Sequence, residues 1–186
     1  MDLDFQLLDC DYILLENSPV IRLFGKTKEG KSVCAFYRGY NPYFYILPKK
    51  GLENIVKEFV IKRFSGLVLK IEKVQRYHPV GYRNEKMEIL RLTLNDPSRV
   101  PEVRDTLIRE KTISEIYEAD VLFKYRFMAD ANIFGFKWVR VNGTQTKTRT
   151  VKTDITIDAT KIEELSSLEN CNLKYMSIDI ETISKE

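Results

Sequence analysis

Residues 42–119 alternate between strand-like and helix-like hydrophobic periodicity, in an order that few folds accommodate. Strand-like runs are "PYFYIL" (42–47), "LVLKIEKVQRY" (67–77), "KMEILRLTL" (86–94) and "ISEIYEAD" (113–120), and helix-like runs cover 51–64 and the segment from Asp96-Pro97 to Ile108. The order is therefore strand, helix, strand, strand, helix, strand, which is that of split βαβ folds. We predict an α+β chain whose core, residues 42–130, is ferredoxin-like or RNA-recognition-like.

Two local signals support the helices of this core. In 51–64 the apolar residues recur at helical spacing, and charged residues fill the opposite face; the apolar positions are Leu52, Ile55, Val56, Phe59, Val60 and Phe64. The second helix begins near Asp96-Pro97, an N-cap type followed by Pro in the first turn. It carries Val100, Val103, Arg104, Leu107 and Ile108. Both helices thus have one face suited to packing against a sheet.

The flanking segments predict further strands. In 1–41, "CDYILLE", "VIRLFGKT" and "KSVCAFYR" are separated by turns at Asn17-Ser18-Pro19 and Glu29-Gly30, so we predict hairpins that form a small antiparallel sheet against the core. A short helix is expected at 121–130, a strand at "FGFKWVRV" (134–141) and an exposed loop at "NGTQTKTRT" (142–150). The domains are expected to be 1–41, 42–130, 131–172 and 173–186.

Composition favours a globular chain of ordinary solubility. Hydrophobic residues make up 44% and charged residues 31%, and the net charge is only +3, so any contact with nucleic acid is expected to be local. Cys10, Cys34 and Cys171 form no metal-binding or disulfide pattern. The acidic N-terminus is unlike a signal peptide, and no apolar run reaches the roughly 20 residues of a membrane span. We expect a cytoplasmic protein with reduced thiols.

A pair of carboxylates lies near the end of the chain. In "YMSIDIET" Asp179 and Glu181 alternate with Ile178 and Ile180, so a strand at 175–181 would put both acids on one face, roughly 7 Å apart. Such a pair suits Mg²⁺ or Mn²⁺ in two-metal phosphoryl chemistry. The alternative is an edge strand with acids facing solvent. Asp154 and Asp158 remain open as further ligands, although their spacing does not favour them.

Taken in order, several segments resemble the N-terminal part of archaeal family B DNA polymerases, and the resemblance covers nearly the whole chain. They are "LDCDYI" (8–13), "VIRLFGKTKEGK" (20–31), "NPYFYIL" (41–47), "NDPSRVPEVRDTLIRE" (95–110), "IYEADVLFKYRFMAD" (116–130) and "SIDIET" (177–182). The last of these is similar to the family's first exonuclease motif, Asp-Ile-Glu-Thr.

The resemblance implies a parent enzyme with DNA polymerase and 3′–5′ exonuclease activity. Asp179 and Glu181 would then bind Mg²⁺ or Mn²⁺ in the full-length enzyme, with no metal bound to this piece. The other exonuclease acids and the polymerase site would lie beyond residue 186, in a chain cut at a domain boundary or a subunit of a split polymerase. We expect a non-catalytic monomer whose partners are those domains and single-stranded template DNA. Its strand at 175–181 would be an exposed edge, and its tail after about 183 disordered.

In archaeal members this domain reads the template ahead of synthesis and captures uracil and, to a lesser extent, hypoxanthine. The resemblance implies a uracil pocket, with phosphate contacts from Arg104, Lys124 and Arg126. The residues that it assigns to the pocket are Tyr12, Pro42, Tyr43, Pro97, Val100, Arg104, Val121 and Phe123. Independently of the family, stiff residues such as Val100 and Pro42 suit a wall that must reject the single methyl group by which thymine differs from uracil.

The sequence departs from the family at the pocket and leaves other functions open. Leu122 stands where a Pro is usual, and Asn95-Asp96 stands where a His is common, and either change would loosen the pocket. One alternative is an RNA-recognition-like module, which the absence of aromatics in 86–94 disfavours. A complete nuclease is disfavoured by the missing carboxylates. A structural interaction domain is the remaining alternative.

Overall fold

The computed structural model describes residues 1–79, 81, 83–167 and 169–182. Its strands and helices are β1 (Asp2–Leu15), β2 (Ser18–Lys26), β3 (Ser32–Tyr37), β4 (Tyr43–Pro48), α1 (Glu53–Arg63), β5 (Val68–Tyr77), β6 (Lys86–Leu94), a 3₁₀ turn (Pro97–Arg99) continuing into α2 (Val100–Leu107), β7 (Ile113–Tyr117), α3 (Phe123–Asp130), β8 (Trp138–Gln145) and β9 (Ile155–Leu165). The chain is therefore α+β, as predicted.

Five strands close into a barrel in the order β1-β2-β3-β9-β8. Each neighbouring pair is antiparallel except β3 and β9, which run parallel, with Val33 opposite Ile155 and Tyr37 opposite Ala159. The barrel interior is filled by wholly buried apolar side chains, among them Phe5, Leu7, Leu23, Ile133 and Val141. Alternation of inward and outward residues along each strand supplies this core.

The predicted N-terminal hairpins are confirmed, but the sheet that they form is not the small antiparallel sheet expected from residues 1–41 alone. The first turn is tighter than predicted: Glu16 and Asn17 have φ of 50° and 60°, and Leu15 pairs directly with Ser18. Positive φ at both central residues matches the right-handed twist of a two-residue hairpin. The larger difference is closure by β8 and β9, which local periodicity cannot reveal because these strands lie more than 100 positions away from β1.

The remaining four strands form a separate sheet in the order β5-β6-β4-β7, and all neighbouring pairs are antiparallel. The predicted order of the six elements of this core is confirmed. Helices α1 and α2 cover one face, where Val56 and Val103 pack with Phe44 and Leu92. The opposite face carries a smaller cluster around Tyr43, Tyr45 and Ile89.

The two helices of this sheet begin and pack largely as their sequences indicate. The Asp96 carboxylate accepts a hydrogen bond from the Ser98 N–H at 2.8 Å, with Pro97 in the first turn, so the predicted N-cap is confirmed. In α1 the buried residues are Val56 and Val60, whereas Ile55 is 52% exposed. Ile55 was predicted on the apolar face, but it lies about 100° around the helix from Val56 and misses the sheet.

Strand β8 extends further than predicted. Asn142 to Gln145, predicted as part of an exposed loop, continue the strand and pair with β9, with a bulge between Asn142 and Gly143. The predicted strand at 134–141 correspondingly begins only at Trp138. Pairing with β9 explains the difference, because it satisfies backbone groups of a polar segment that has little strand propensity of its own.

The segment after β9 is held by one buried side chain. Gln6, which is fully buried, donates from Nε2 to the Phe136 carbonyl at 2.8 Å and to Asn170 Oδ1 at 2.6 Å, and its Oε1 accepts from the Cys171 N–H at 2.9 Å. The Trp138 indole also donates to the Glu169 carbonyl at 2.6 Å. Residues 169–171 are therefore fixed against the barrel.

Residues 169–182 carry no regular secondary structure, so the strand predicted at 175–181 is not formed. Ile178 and Ile180 are 72% and 80% exposed, and within the described part of the chain no strand pairs with them. An isolated strand without a neighbour is not stable in water, whatever its alternation. The predicted disorder of residues 183–186 lies outside the described residues.

Among the residues that the structure describes, no helix is long and apolar enough to cross a membrane.

Two buried cysteines of the barrel strands make a prediction about thiol reactivity: Cys10 in the interior, and Cys34 in a separate buried cluster with Val20 and Phe36. Burial, reinforced by Asp11, raises the pKa of the Cys10 thiol to about 12, and burial raises that of Cys34 to about 11. Since the thiolate is the reactive form, iodoacetamide at pH 8 should leave both unmodified in the folded chain, as read by mass spectrometry. Ser65→Cys, at an exposed position, is the positive control. Rapid modification of Cys10 without unfolding would contradict the barrel core.

The β8–β9 bulge makes a prediction about stability. A methyl group added at Gly143 would lie 2.1 Å from the Asp158 carbonyl oxygen, whereas one added at Gly66 meets nothing within 4 Å. We expect Gly143→Ala to reduce the free energy of unfolding by about 2 kcal/mol or more, because backbone atoms must shift. Gly66→Ala should change it by less than ~0.5 kcal/mol. Urea denaturation compares the two, and equal stabilities would be inconsistent with the bulge.

Candidate nucleic-acid interface

A cavity of about 440 Å³ lies between the barrel and the four-stranded sheet. Four chain segments meet there: β1, the start of β4, the 3₁₀ turn with α2, and the connection from β7 into α3. All eight residues that the sequence assigned to a pocket line this cavity, together with Lys124; the eight are Tyr12, Pro42, Tyr43, Pro97, Val100, Arg104, Val121 and Phe123. Residues up to 111 positions apart in the sequence are thus brought to one site.

Three lining residues form a rigid and apolar part of the cavity wall. Pro42 and Pro97 are buried, and Val100 is partly buried at the start of α2. A proline has a fixed φ and a valine has few rotamers, so a wall built from them yields little to a ligand. Leu122, which departs from the family pattern, also lines the cavity, but it is 61% exposed and therefore lies near the entrance rather than beside Pro42, Pro97 and Val100.

The aromatic residues of the cavity pack on each other. Tyr12 meets Phe123 edge-on, with ring centroids 5.1 Å apart, and Tyr40 approaches the same ring at 5.5 Å. Phe123 is only 8% exposed, so it contributes to the wall, while Tyr12 is partly exposed. Burial raises the pKa of Tyr12, and the charge of Asp96 adds to the effect, so its hydroxyl remains a neutral hydrogen-bonding group.

Tyr43 occupies an enclosed position in the cavity wall. It is 8% exposed, and the guanidinium carbons of Arg91 and Arg126 lie 3.7 Å and 4.8 Å from its ring centroid. Its hydroxyl donates to the Asp130 carboxylate at 2.7 Å, and the Tyr40 hydroxyl does the same at 2.7 Å. Tyr43 therefore holds charged groups in place and does not present an open face for stacking on a base.

Three basic side chains line the cavity, and they differ in availability. The side chains of Arg104 and Lys124 are each 32% exposed; Arg104 pairs with Asp105 at 2.8 Å and Lys124 with Asp9 at 3.6 Å. Arg126 is 12% exposed and donates to the Glu118 carboxylate at 2.5 Å. Burial lowers the pKa of Arg126, but the hydrogen bond to Glu118, the charge of Glu118 and the contact with Tyr43 together outweigh burial and raise the pKa above its ordinary value, so the side chain stays charged.

Several residues that shape the site were missed by the sequence analysis. Arg91, Asp130, Glu118 and Tyr40 make the contacts that hold Tyr43 and Arg126. Glu118 and Asp130 lie within the 116–130 segment that carries the family resemblance, but the sequence analysis assigns none of the four to the site. Only the alternation of Arg91 with Leu90 and Leu92 in β6 gave a signal, because it puts this charge on the face away from the helices.

The carboxylate pair lies apart from this cavity. Asp179 and Glu181 are exposed, and the Asp179 carboxylate accepts a hydrogen bond from the Ile180 N–H at 2.9 Å. Asp154 accepts two hydrogen bonds from Ser32, and Asp158 lies 3.8 Å from Arg38. Carboxylate oxygens suit Mg²⁺ or Mn²⁺. Within the described part of the chain, however, no three acids, histidines or cysteines gather into a group that could hold a metal, so the pair is at most part of a site.

Comparison with known proteins identifies the family. The profile described as "DNA polymerase family B, exonuclease domain" matches residues 114–186, which begins at β7. DNA polymerase 2 of Aeropyrum pernix is 32% identical over 195 residues, covering 98% of this chain and 23% of the relative. The DNA polymerase delta catalytic subunit of Arabidopsis thaliana is 33% identical over 169 residues, covering 74% of this chain and 15% of the relative.

A solved structure agrees on the fold. The family B DNA polymerase from the hyperthermophilic archaeon Pyrobaculum calidifontis superposes with a TM-score of 0.73 at 22% identity, covering 89% of this chain and 21% of that one. The chain belongs to the family B DNA polymerases and corresponds to their N-terminal and exonuclease region. It spans less than a quarter of the length of these relatives.

The tyrosine–carboxylate cluster makes a prediction about coupling. Because both tyrosines donate to a single carboxylate, Tyr43→Phe should cost about 1 kcal/mol of unfolding free energy and Asp130→Ala, which removes both bonds, about 2 kcal/mol. The double variant should lose less than the sum by ~0.5 kcal/mol or more, since the same bond is removed twice. Tyr125→Phe is the control, because Tyr125 is an exposed tyrosine of α3, the helix that carries Asp130. Strict additivity in urea unfolding would argue against the bond.

Proposed function

We propose that this chain reads the single-stranded template strand ahead of a polymerase site and captures uracil or another deaminated base. The observation that carries the proposal is that the eight residues expected from the family resemblance line one cavity of about 440 Å³, within the range of small-ligand sites. A single-stranded template makes extrusion of the base inexpensive, because no base pair has to be broken.

Selection against thymine follows from the rigid wall. Thymine carries one methyl group more than uracil, and Pro42, Pro97 and Val100 leave few ways to accommodate it. A clash of this kind can exceed the roughly 1–3 kcal/mol that a missing methylene alone provides. Leu122 affects the entrance more than the wall, since its side chain is mostly exposed. Asp96, which stands where the family commonly has a His, is also compatible with a rigid wall, because its carboxylate caps the turn that carries Pro97.

Selection against cytosine requires a different contact. The exocyclic amine of cytosine is a donor where uracil has an acceptor, so backbone N–H groups that face this edge would favour uracil. Template phosphates on either side of the base would be held by Arg104 and Lys124, the two more exposed cations of the rim.

The parent protein is proposed to be a DNA-directed DNA polymerase that acts in DNA replication in the cytoplasm and carries a proofreading 3′–5′ exonuclease. In that protein Asp179 and Glu181 would contribute two of the acids that hold Mg²⁺ or Mn²⁺, and further ligands would come from the rest of the exonuclease. The four-stranded sheet with α1 and α2 is interpreted as the ferredoxin-like split βαβ core, because β6 lies between β4 and β5. This piece would be monomeric and non-catalytic.

The alternative is binding of RNA or DNA on the sheet face opposite the helices, as in RNA-recognition domains. One observation favours it, since Tyr43 and Tyr45 share this face with Arg91. Their exposures of 8% and 5% oppose it, because a base needs an open ring for stacking. The cavity is therefore the better supported site.

The proposal predicts base-dependent binding. Fluorescence anisotropy with single-stranded DNA carrying one central uracil, thymine or cytosine, at fixed low salt, should give about tenfold or greater preference for uracil. Val100→Gln should abolish this preference by filling the cavity, whereas Val74→Gln, on β5 and outside the cavity lining, should retain it. Equal binding of all three strands by the unaltered chain would refute the proposal.

A further inference from the structure

One wall of the cavity is a segment with an uncommon backbone. Residues 118–122 connect β7 to α3, and all five line the cavity. Glu118 begins this wall with a φ of +61°, the left-handed region that a residue with a long side chain seldom adopts. Such a conformation persists only where neighbouring groups hold it.

Arg126 holds Glu118 through two hydrogen bonds. Its Nη1 donates to the Glu118 carboxylate at 2.5 Å, and its Nη2 donates to the Glu118 backbone carbonyl at 3.2 Å. One guanidinium therefore binds both the side chain and the main chain of the same left-handed residue. A planar fork of donors can do this, whereas a single ammonium group cannot reproduce both directions.

Arg126 is in turn held from the sheet side. Its guanidinium carbon lies 4.8 Å from the Tyr43 ring centroid, and the Tyr43 hydroxyl donates to Asp130, one turn further along α3. Tyr43 of β4 thus contacts both Asp130 and Arg126 of α3, and Arg126 in turn binds Glu118 of the cavity wall. With a side chain only 12% exposed and two of its donors bound to Glu118, Arg126 offers little of its guanidinium to a template phosphate.

We infer that Arg126 is a positioning residue for base selection: with Glu118 it fixes the 118–122 wall against the base, and it does not contact a template phosphate. The inference rests on the proposed function, since the selection it supports is that of the uracil pocket. It also separates Arg126 from Lys124, to which the sequence analysis gave the same role.

Four variants separate the two roles through binding to single-stranded DNA with uracil or thymine at several salt concentrations. They are Arg126→Lys, Arg126→Gln, Glu118→Gln and Lys124→Gln. For a positioning residue, both Arg126 variants and Glu118→Gln lower the uracil-to-thymine affinity ratio several-fold, and the salt dependence of thymine-strand binding stays unchanged. Lys124→Gln should instead weaken both strands equally and reduce the slope of log K against log salt by about 0.7, the value for one phosphate contact on a single strand.

The opposite pattern overturns the inference. If Arg126 binds phosphate, Arg126→Lys keeps the slope and most of the affinity, Arg126→Gln lowers the slope by about 0.7, and Glu118→Gln leaves the ratio intact. Hydrogen exchange of the free chain gives a second readout: Arg126→Lys and Glu118→Gln should speed exchange of amides 119–122 at least several-fold without altering the barrel amides. If the unaltered chain shows no preference for uracil, the proposed function fails, while the salt slope and the exchange rates still decide the role of Arg126.

Discussion

The parallel pairing of β3 with β9 is the constraint on which the rest of the structure depends. This pairing closes the barrel. It also requires the chain to return to the edge of β3 after it has formed the whole four-stranded sheet, which lies between these two strands in the sequence. The segment between β3 and β9 is therefore held in the barrel at both of its ends. Parallel neighbours need such a long connection, and here the connection is itself a folded unit with its own core. The cavity forms where this unit meets the barrel.

The junction between the two units is polar and aromatic rather than purely apolar. Phe123 and Phe127 of α3 enter the barrel core, while the other side of the helix reaches β4 through Asp130 and Arg126. Helix α3 thus belongs to both units. Directional contacts of this kind fix distance as well as association, because a hydrogen bond or a stacked guanidinium is satisfied only over a narrow range of geometry. The proposed selection against a single methyl group requires walls held in that way.

Local patterns predicted most elements of the chain, because periodicity and capping act within a few residues. The order from β4 to β7 and the Asp96 cap followed from such signals. Barrel closure did not, since the pairing of β8 and β9 with strands near the N-terminus depends on contacts over more than 100 positions. The strand predicted at 175–181 also failed, because alternation needs a neighbouring strand to become structure. For the cavity, the family resemblance predicted the lining residues. The enclosure of Tyr43 and the hydrogen bonds from Arg126 to Glu118 could not be predicted, because they depend on contacts between segments that are distant in the sequence or on a left-handed residue.

The central claim is that the cavity between barrel and sheet, and not the outer sheet face, receives the template base. An NMR titration of the isotopically labelled chain with a short single-stranded DNA carrying one uracil tests it most directly. The account predicts that amide shift changes concentrate at the cavity, including Tyr12, Val100 and Val121, and that a thymine strand produces much smaller changes there. Changes centred instead on Tyr45 and Ile89, with no difference between uracil and thymine, would contradict it.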